Sequence, residues 1–146
     1  MNTHIFQILF YGLLICFISA CNKTPHTDTE HHHSAATEGI QLNNGQKWKV
    51  NDEMKPNIES GRAFLIDYEQ SKSISFNDLA VQLSEANTAL ISSCTMSGAS
   101  HDELHKWLHP HMELTAQLKE AQSEEEAEIV IEKLLQSYEK YGEYFE

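Results

Sequence analysis

The chain has 146 residues and a formal net charge of −12, with 22 acidic side chains against 10 basic ones. This length suffices for one small domain with one core. The acidic balance excludes the basic footprint of a nucleic-acid-binding protein, because an acidic surface repels phosphates.

The first part of the chain has the features of an export signal. Residues 5–20 are almost entirely apolar and end in small residues, although residues 1–20 contain no Lys or Arg. Such a run is short for a membrane-spanning helix and typical of a signal peptide. The run Ile18-Ser19-Ala20-Cys21 resembles the lipobox of bacterial lipoproteins, which implies cleavage before Cys21 and a lipid such as palmitate on its thiol. With this anchor, or with an uncleaved one, we expect the folded part on the periplasmic or outer-membrane face of the envelope.

The segment that follows, residues 21–41, is polar and predicts a disordered, lipid-anchored tether, because it cannot bury enough surface to offset the entropy of ordering. It contains His26 and the run His31-His32-His33. These histidines bind metal loosely, or the segment is only a polar spacer.

The remainder, residues 42–146, predicts a short extended piece and then four amphipathic helices, the second running from about Asn77 to Ser97. Each helix has apolar residues at helical period. Because the connections are short, the prediction is an all-α, up-down-up-down antiparallel four-helix bundle. The four predicted core stripes are Met54, Ile58, Gly61, Leu65 and Tyr68; Leu79, Leu83, Ala86, Leu90 and Cys94; Leu104, Leu108, His111, Thr115 and Leu118; and Ala127, Val130, Ile131, Leu134, Tyr138, Tyr141 and Phe145.

Local motifs predict where these helices begin and end. Gly98 predicts the end of the second helix. Pro110 removes a hydrogen bond inside the third helix and predicts a kink there. Three capping motifs predict helix starts: Ser75 with Asp78, Ser100 with Glu103, and Ser123 with Glu126.

Residues 94–112 concentrate the side chains that bind soft and borderline metals. Cys94 has no intramolecular partner, because Cys16 belongs to the leader and Cys21 is expected to carry the lipid. An odd cysteine outside the cytoplasm is buried, reactive or a metal ligand. Thiolate, thioether and imidazole together suit copper(I) and, to a lesser degree, zinc. The seven candidate ligands are Cys94, Met96, His101, His105, His109, His111 and Met112.

We therefore predict a metal site of Cys94, Met96, His101 and His105 at the corner between the second and third helices. The remaining three side chains of the group are candidate further ligands. The expected role is capture or buffering of copper(I) without catalysis, with an envelope metal-efflux component as a partner. Each residue also has an ordinary interpretation: a small buried thiol, gap-filling methionines and a solvated histidine pair.

The run C-T-M-x-G-x-x-H-x-x-L-H-x-x-L-x-P at Cys94–Pro110, together with LNNGQKWKV at residues 42–50, resembles a group of small bacterial lipoproteins. The resemblance covers most of residues 42–146 and implies a helical periplasmic or surface-exposed lipoprotein without an assigned catalytic role. The Cys-x-Met pair is also distantly similar to the Cys-Pro-Met run in domains of heavy-metal efflux adaptors, which have proline where this chain has Thr95.

Other functions remain open. A haem could be held between helices by Met54 with His111 or His105, although no Cys-x-x-Cys-His is present for covalent attachment. A lipid-anchored adaptor without metal could meet a basic partner through the acidic residues 124–128. A Cys94–His101 nucleophile is a further alternative, but no Ser–His–Asp set and no Gly-x-Ser-x-Gly elbow is present, so we do not expect an enzyme.

Overall fold

The computed structural model describes residues 39–146, in which four helices account for most of the chain. Residues 72–75, 93–98 and 121–123 connect them. Each helix packs against the next along the chain, and the fourth packs back against the first, which confirms the predicted all-α four-helix bundle. The predicted signal peptide, the lipid site at Cys21 and the histidines of the tether lie outside the described residues. The helices are α1 (Lys55–Ser71), α2 (Phe76–Ser92), α3 (Ala99–Glu120) and α4 (Glu124–Tyr144).

The core is built from the predicted stripes. All of their members are buried except Cys94 and Tyr141, which are half-buried. Burying each large aliphatic side chain stabilises the fold by ~1.5–3 kcal/mol, so these stripes account for much of the driving force for folding. Trp107 is also buried, with 1% of its surface exposed, although it lies outside the predicted stripe of its helix.

The extended piece before α1 pairs with the last residues of the structure. The Trp48 amide donates to the Tyr144 carbonyl at 2.8 Å, and the Glu146 amide donates to the Trp48 carbonyl at 2.9 Å. Ile40 is buried with 5% of its surface exposed. The packed region therefore already includes residues just before Leu42, where the sequence predicted that the domain begins.

Two of the three predicted capping motifs form. The Ser75 hydroxyl accepts from the Asp78 amide at 3.1 Å and donates to the Asp78 carboxylate at 2.7 Å. The Ser123 hydroxyl accepts from the Glu126 amide at 3.2 Å. The bonds from the Asp78 and Glu126 amides satisfy donors that have no partner within their own helices, and together they fix the starts of α2 and α4.

The start of α3 differs from the prediction. Gly98 precedes the first turn with φ of +68°, a backbone conformation that favours glycine, and no side chain caps the helix. Glu103, expected to form a capping box with Ser100, instead accepts from the Gln41 amide at 2.8 Å and binds Lys106 at 2.7 Å. Its carboxylate therefore joins the segment before the bundle to α3.

Candidate metal-binding site

The loop between α2 and α3, residues 93–98, carries the two sulfur-containing candidate ligands. The prediction that α2 continues to about Ser97, with Cys94 on its apolar stripe, is wrong: the helix ends at Ser92. Cys94, a free thiol, and Met96 both lie half-buried against the edge of the core.

Two asparagines hold this loop in its non-helical path. The Asn51 amide nitrogen donates to the Ser93 carbonyl at 2.9 Å, and the Thr95 amide donates to the Asn51 side-chain oxygen at 3.2 Å. Asn57 donates to the Ser93 hydroxyl at 3.2 Å. Because these bonds satisfy loop groups that a further helical turn would have used, α2 stops before Cys94.

The first turns of α3 bring His101 and His105 together. Their Nε2 atoms lie 3.0 Å apart, and their ring centroids lie 4.3 Å apart with the planes at 69°. Both side chains are half-buried. Residues four apart on a helix are neighbours on one face, so the sequence spacing accounts for this pairing.

The separation of these two nitrogens suits the binding of one metal ion. With metal–nitrogen bonds of ~2.05 Å, two nitrogens 3.0 Å apart subtend an angle of about 94° at the metal, because half of 3.0 Å divided by 2.05 Å is the sine of half that angle. In the structure the two nitrogens share a hydrogen bond. A tetrahedral ion, with ~109° between neighbouring ligands, would hold them ~3.3 Å apart, only slightly further than they lie here. The Nε2 atoms of His101 and His105 can therefore chelate an ion with little side-chain movement.

The protonation state of His105 also favours binding of a metal. Burial lowers the pKa of His105 below its ordinary value, and the charges of His101 and His109 lower it further, against an opposing effect of Asp102. Imidazole binds metal only in its neutral form. At neutral pH, His105 is ready to bind without first losing a proton.

His109 continues the series on the solvent side. Its ring centroid lies 4.9 Å from that of His105, with the planes at 58°, and its side chain is exposed. We call His101, His105 and His109 the histidine ladder. Met112 follows three residues later with 38% of its surface exposed. The helix continues through Pro110, and the kink expected there stays a prediction.

His111 belongs to the core instead. None of its surface is exposed; its ring stacks on Trp107 with centroids 4.9 Å apart and meets Tyr138 edge-on at 4.6 Å. Its Nδ1 lies 3.0 Å from the Ser137 hydroxyl oxygen, whereas its Nε2 has no hydrogen-bond partner. Burial lowers the pKa of His111 to about 4. The structure therefore places this candidate ligand in an aromatic box and not on the ladder.

The imidazoles of His101 and His105 are two predicted ligands that the structure brings into contact. Within residues 39–146, no three side chains of His, Cys, Asp or Glu are arranged to hold one metal ion. Cys94 therefore does not form a ready three-ligand group with His101 and His105, and its convergence with them stays a prediction. The haem alternative also stays a prediction; its candidate ligands Met54 and His111 are both fully buried.

Three features that support the core and the candidate site were not predicted from the sequence. Trp107 precedes His111 by four positions, so a wider apolar stripe on α3 would have found it. Gly61 and Tyr138 lie on predicted stripes, but nothing in the sequence indicates that they meet: a Cβ built on Gly61 would contact the Tyr138 hydroxyl and lie 3.2 Å from its Cζ atom. Asn51 contacts a loop more than forty residues further along the chain, which no local pattern predicts.

No helix in the described part of the chain is both long enough and apolar enough to cross a membrane. Comparison of the chain with protein-family models, with curated proteins and with solved structures gives no match. The resemblance to small bacterial lipoproteins and to domains of heavy-metal efflux adaptors stays a prediction, and the case for a function depends on the chain's own residues.

Proposed function

We propose that this protein is a lipid-anchored metal-binding protein of the bacterial envelope that captures or buffers copper(I). The observation that carries the proposal is the His101–His105 pair, whose Nε2 atoms lie 3.0 Å apart on a half-buried helix face. Two nitrogen donors at this distance chelate one ion without rearrangement of the helix.

The sulfur side chains favour copper(I) among the metals that imidazole binds. Cys94 and Met96 lie in the loop directly before α3, half-buried and a few residues from His101. Thioether sulfur offers little to zinc and much to a soft ion, and thiolate binds copper(I) strongly. Gly98, between these sulfur residues and the helix, has the backbone freedom for the loop to adjust around a bound ion.

The rest of the chain supports a location outside the cytoplasm. The run that ends at Cys21 has the lipobox pattern, and the formal charge of −12 raises the local concentration of cations near the protein. A holding protein on the membrane needs a recipient for its ion, and a metal-efflux component of the envelope fits that role. Catalysis is not needed for any of these steps.

The test is a titration of the full-length protein in detergent with copper(I) against a chromophoric chelator. The tether histidines are first removed by replacing His26 and His31-His32-His33 with serine, so that they do not mask the site. We expect His105→Gln to weaken copper(I) binding by ~100-fold or more, because a chelating pair gains at least that factor over a single ligand.

Two further variants complete this test. Cys94→Ser should weaken copper(I) binding more than zinc binding, because the thiol matters more to the softer ion. Lys119→Gln, an exposed change near the end of α3, serves as the control and should change neither. Equal binding by the parent protein and His105→Gln would reject the metal site and leave the adaptor function as the better account.

A further inference from the structure

We propose that the histidine ladder works as two overlapping chelating pairs, His101–His105 and His105–His109, which share His105 and hold one ion at a time. In this arrangement His109 is the ligand through which an ion enters from solvent. The inference rests on the proposed metal-binding function and assigns separate roles to the three imidazoles.

The ring distances define the two pairs. Centroids lie 4.3 Å apart in the inner pair, His101–His105, and 4.9 Å apart in the outer pair, His105–His109, with interplanar angles of 69° and 58°. The two neighbouring contacts are therefore similar in ring spacing. Each pair is made by residues four apart, so a single turn of helix builds each of them.

Helix geometry separates the two ends of the ladder. His101 and His109 are eight residues apart, which corresponds to about 12 Å along the helix axis. One ion with metal–nitrogen bonds of ~2.0 Å brings two nitrogens within ~4 Å of each other. The rings of His101 and His109 are therefore too far apart to bind the same ion. This agrees with the absence of a three-ligand group among residues 39–146.

The three histidines of the ladder differ in their exposure to solvent. His109 is exposed, whereas His105 and His101 are half-buried. An ion from solvent therefore meets the outer pair first. The inner pair lies at the start of α3, next in sequence to the loop that carries Cys94 and Met96.

Sharing His105 allows the ion to move without being released. When the ion passes from the outer to the inner pair, its bond to His109 is exchanged for a bond to His101 while His105 stays bound.

Zinc is the probe for the test, because it binds imidazole and has no redox chemistry that would involve the thiol. Affinity is measured by chelator competition and loading by stopped flow, on the full-length protein without its tether histidines. Three variants, His101→Gln, His105→Gln and His109→Gln, are compared with the control Lys119→Gln.

The two-pair arrangement predicts an unequal pattern. His105→Gln removes both pairs and should lower zinc affinity by ~100-fold or more. His101→Gln and His109→Gln each leave one pair intact, so each should lower affinity by less than about tenfold. His109→Gln alone should also slow zinc loading, because the exposed entry ligand is gone.

Other patterns overturn this inference. If His109→Gln changes neither affinity nor loading, the inner pair is the whole site. If His109→Gln costs as much affinity as His105→Gln, all three rings bind together. Both outcomes reject the two overlapping pairs and leave the metal-binding function standing, whereas a parent protein that binds no zinc and no copper(I) rejects both proposals.

Discussion

The two faces of α3 place the same side chain in opposite settings. The ladder lies on a face that meets solvent, and its rings contact one another. His111, two residues beyond His109, is turned by about 200° around the helix axis and is completely buried. One face presents imidazole rings that are exposed or half-buried, whereas the other uses imidazole as a packing element.

The pKa values of His105 and His111 are both lowered, but for different reasons and with different consequences. His105 has a lowered pKa because it is partly desolvated and lies beside two other histidines. His111 has a lowered pKa because it is buried in an aromatic box. The His105 ring stays partly exposed and its Nε2 contacts that of His101, while the Nε2 of His111 is buried without a partner.

The largest expected effect comes from the same substitution made on each face. His111→Ala should lower the free energy of unfolding by ~2–5 kcal/mol, because it leaves a cavity between Trp107 and Tyr138. His109→Ala should change it by less than ~0.5 kcal/mol, as expected at an exposed position. Urea unfolding of both variants measures the difference, and similar losses from the two substitutions would contradict the separation of the faces.

The stability of the buried face should also depend on pH. The pKa of His111 is about 4 in the folded protein, against an ordinary value of 6.5. Between these values the unfolded chain binds a proton that the folded protein excludes, so stability is full above pH 6.5 and decreases as the pH falls toward 4. This one group should account for a loss of about 3 kcal/mol, at 1.36 kcal/mol per pKa unit.

The measurement is urea unfolding at pH 7 and at pH 4.5 for the parent protein and for His111→Phe. The variant cannot take up this proton, so its stability should fall less over the same interval. Carboxylates titrate in both proteins and cancel in the comparison. An equal loss in the two proteins would show that the buried ring is not the group responsible.

A smaller effect tests the packing that surrounds His111. Gly61→Ala places a methyl group against the Tyr138 hydroxyl and should cost ~1–3 kcal/mol, because the rigid phenol ring has to shift. Tyr138→Phe removes the obstructing oxygen, so the double variant should recover much of this loss. A double-mutant cycle by urea unfolding measures the coupling, and strict additivity would show that the two residues do not compete for the space.

Much of the fold could be predicted because it depends on local patterns. The four apolar stripes and the caps at Ser75 and Ser123 use residues at most a few turns apart, and they form as expected except at Cys94, which lies beyond the end of α2. The end of α2 and the start of α3 could not be predicted in this way. Asn51 and Gln41 determine these places from distant parts of the chain.

In the candidate site, too, the features that depend on local spacing could be predicted, and those that depend on tertiary contacts could not. The i, i+4 spacing is sufficient to pair His101 with His105, because both residues belong to one helix. The position of His111 depends on Trp107 and on the register of α4, which brings Ser137 and Tyr138 against it. A histidine that is a candidate ligand and a histidine that fills the core look alike in the sequence. Only the tertiary packing shows which of the two a given histidine is.

The central claim is that the ladder imidazoles bind copper(I) through Nε2 while His111 remains structural. The most direct test is ¹⁵N NMR of the imidazole rings during titration with copper(I), which is diamagnetic. We expect the Nε2 signals of His101 and His105 to change together as the ion binds, with both ring signals of His111 unchanged. Unchanged ladder signals, or changes confined to His111, would contradict the account.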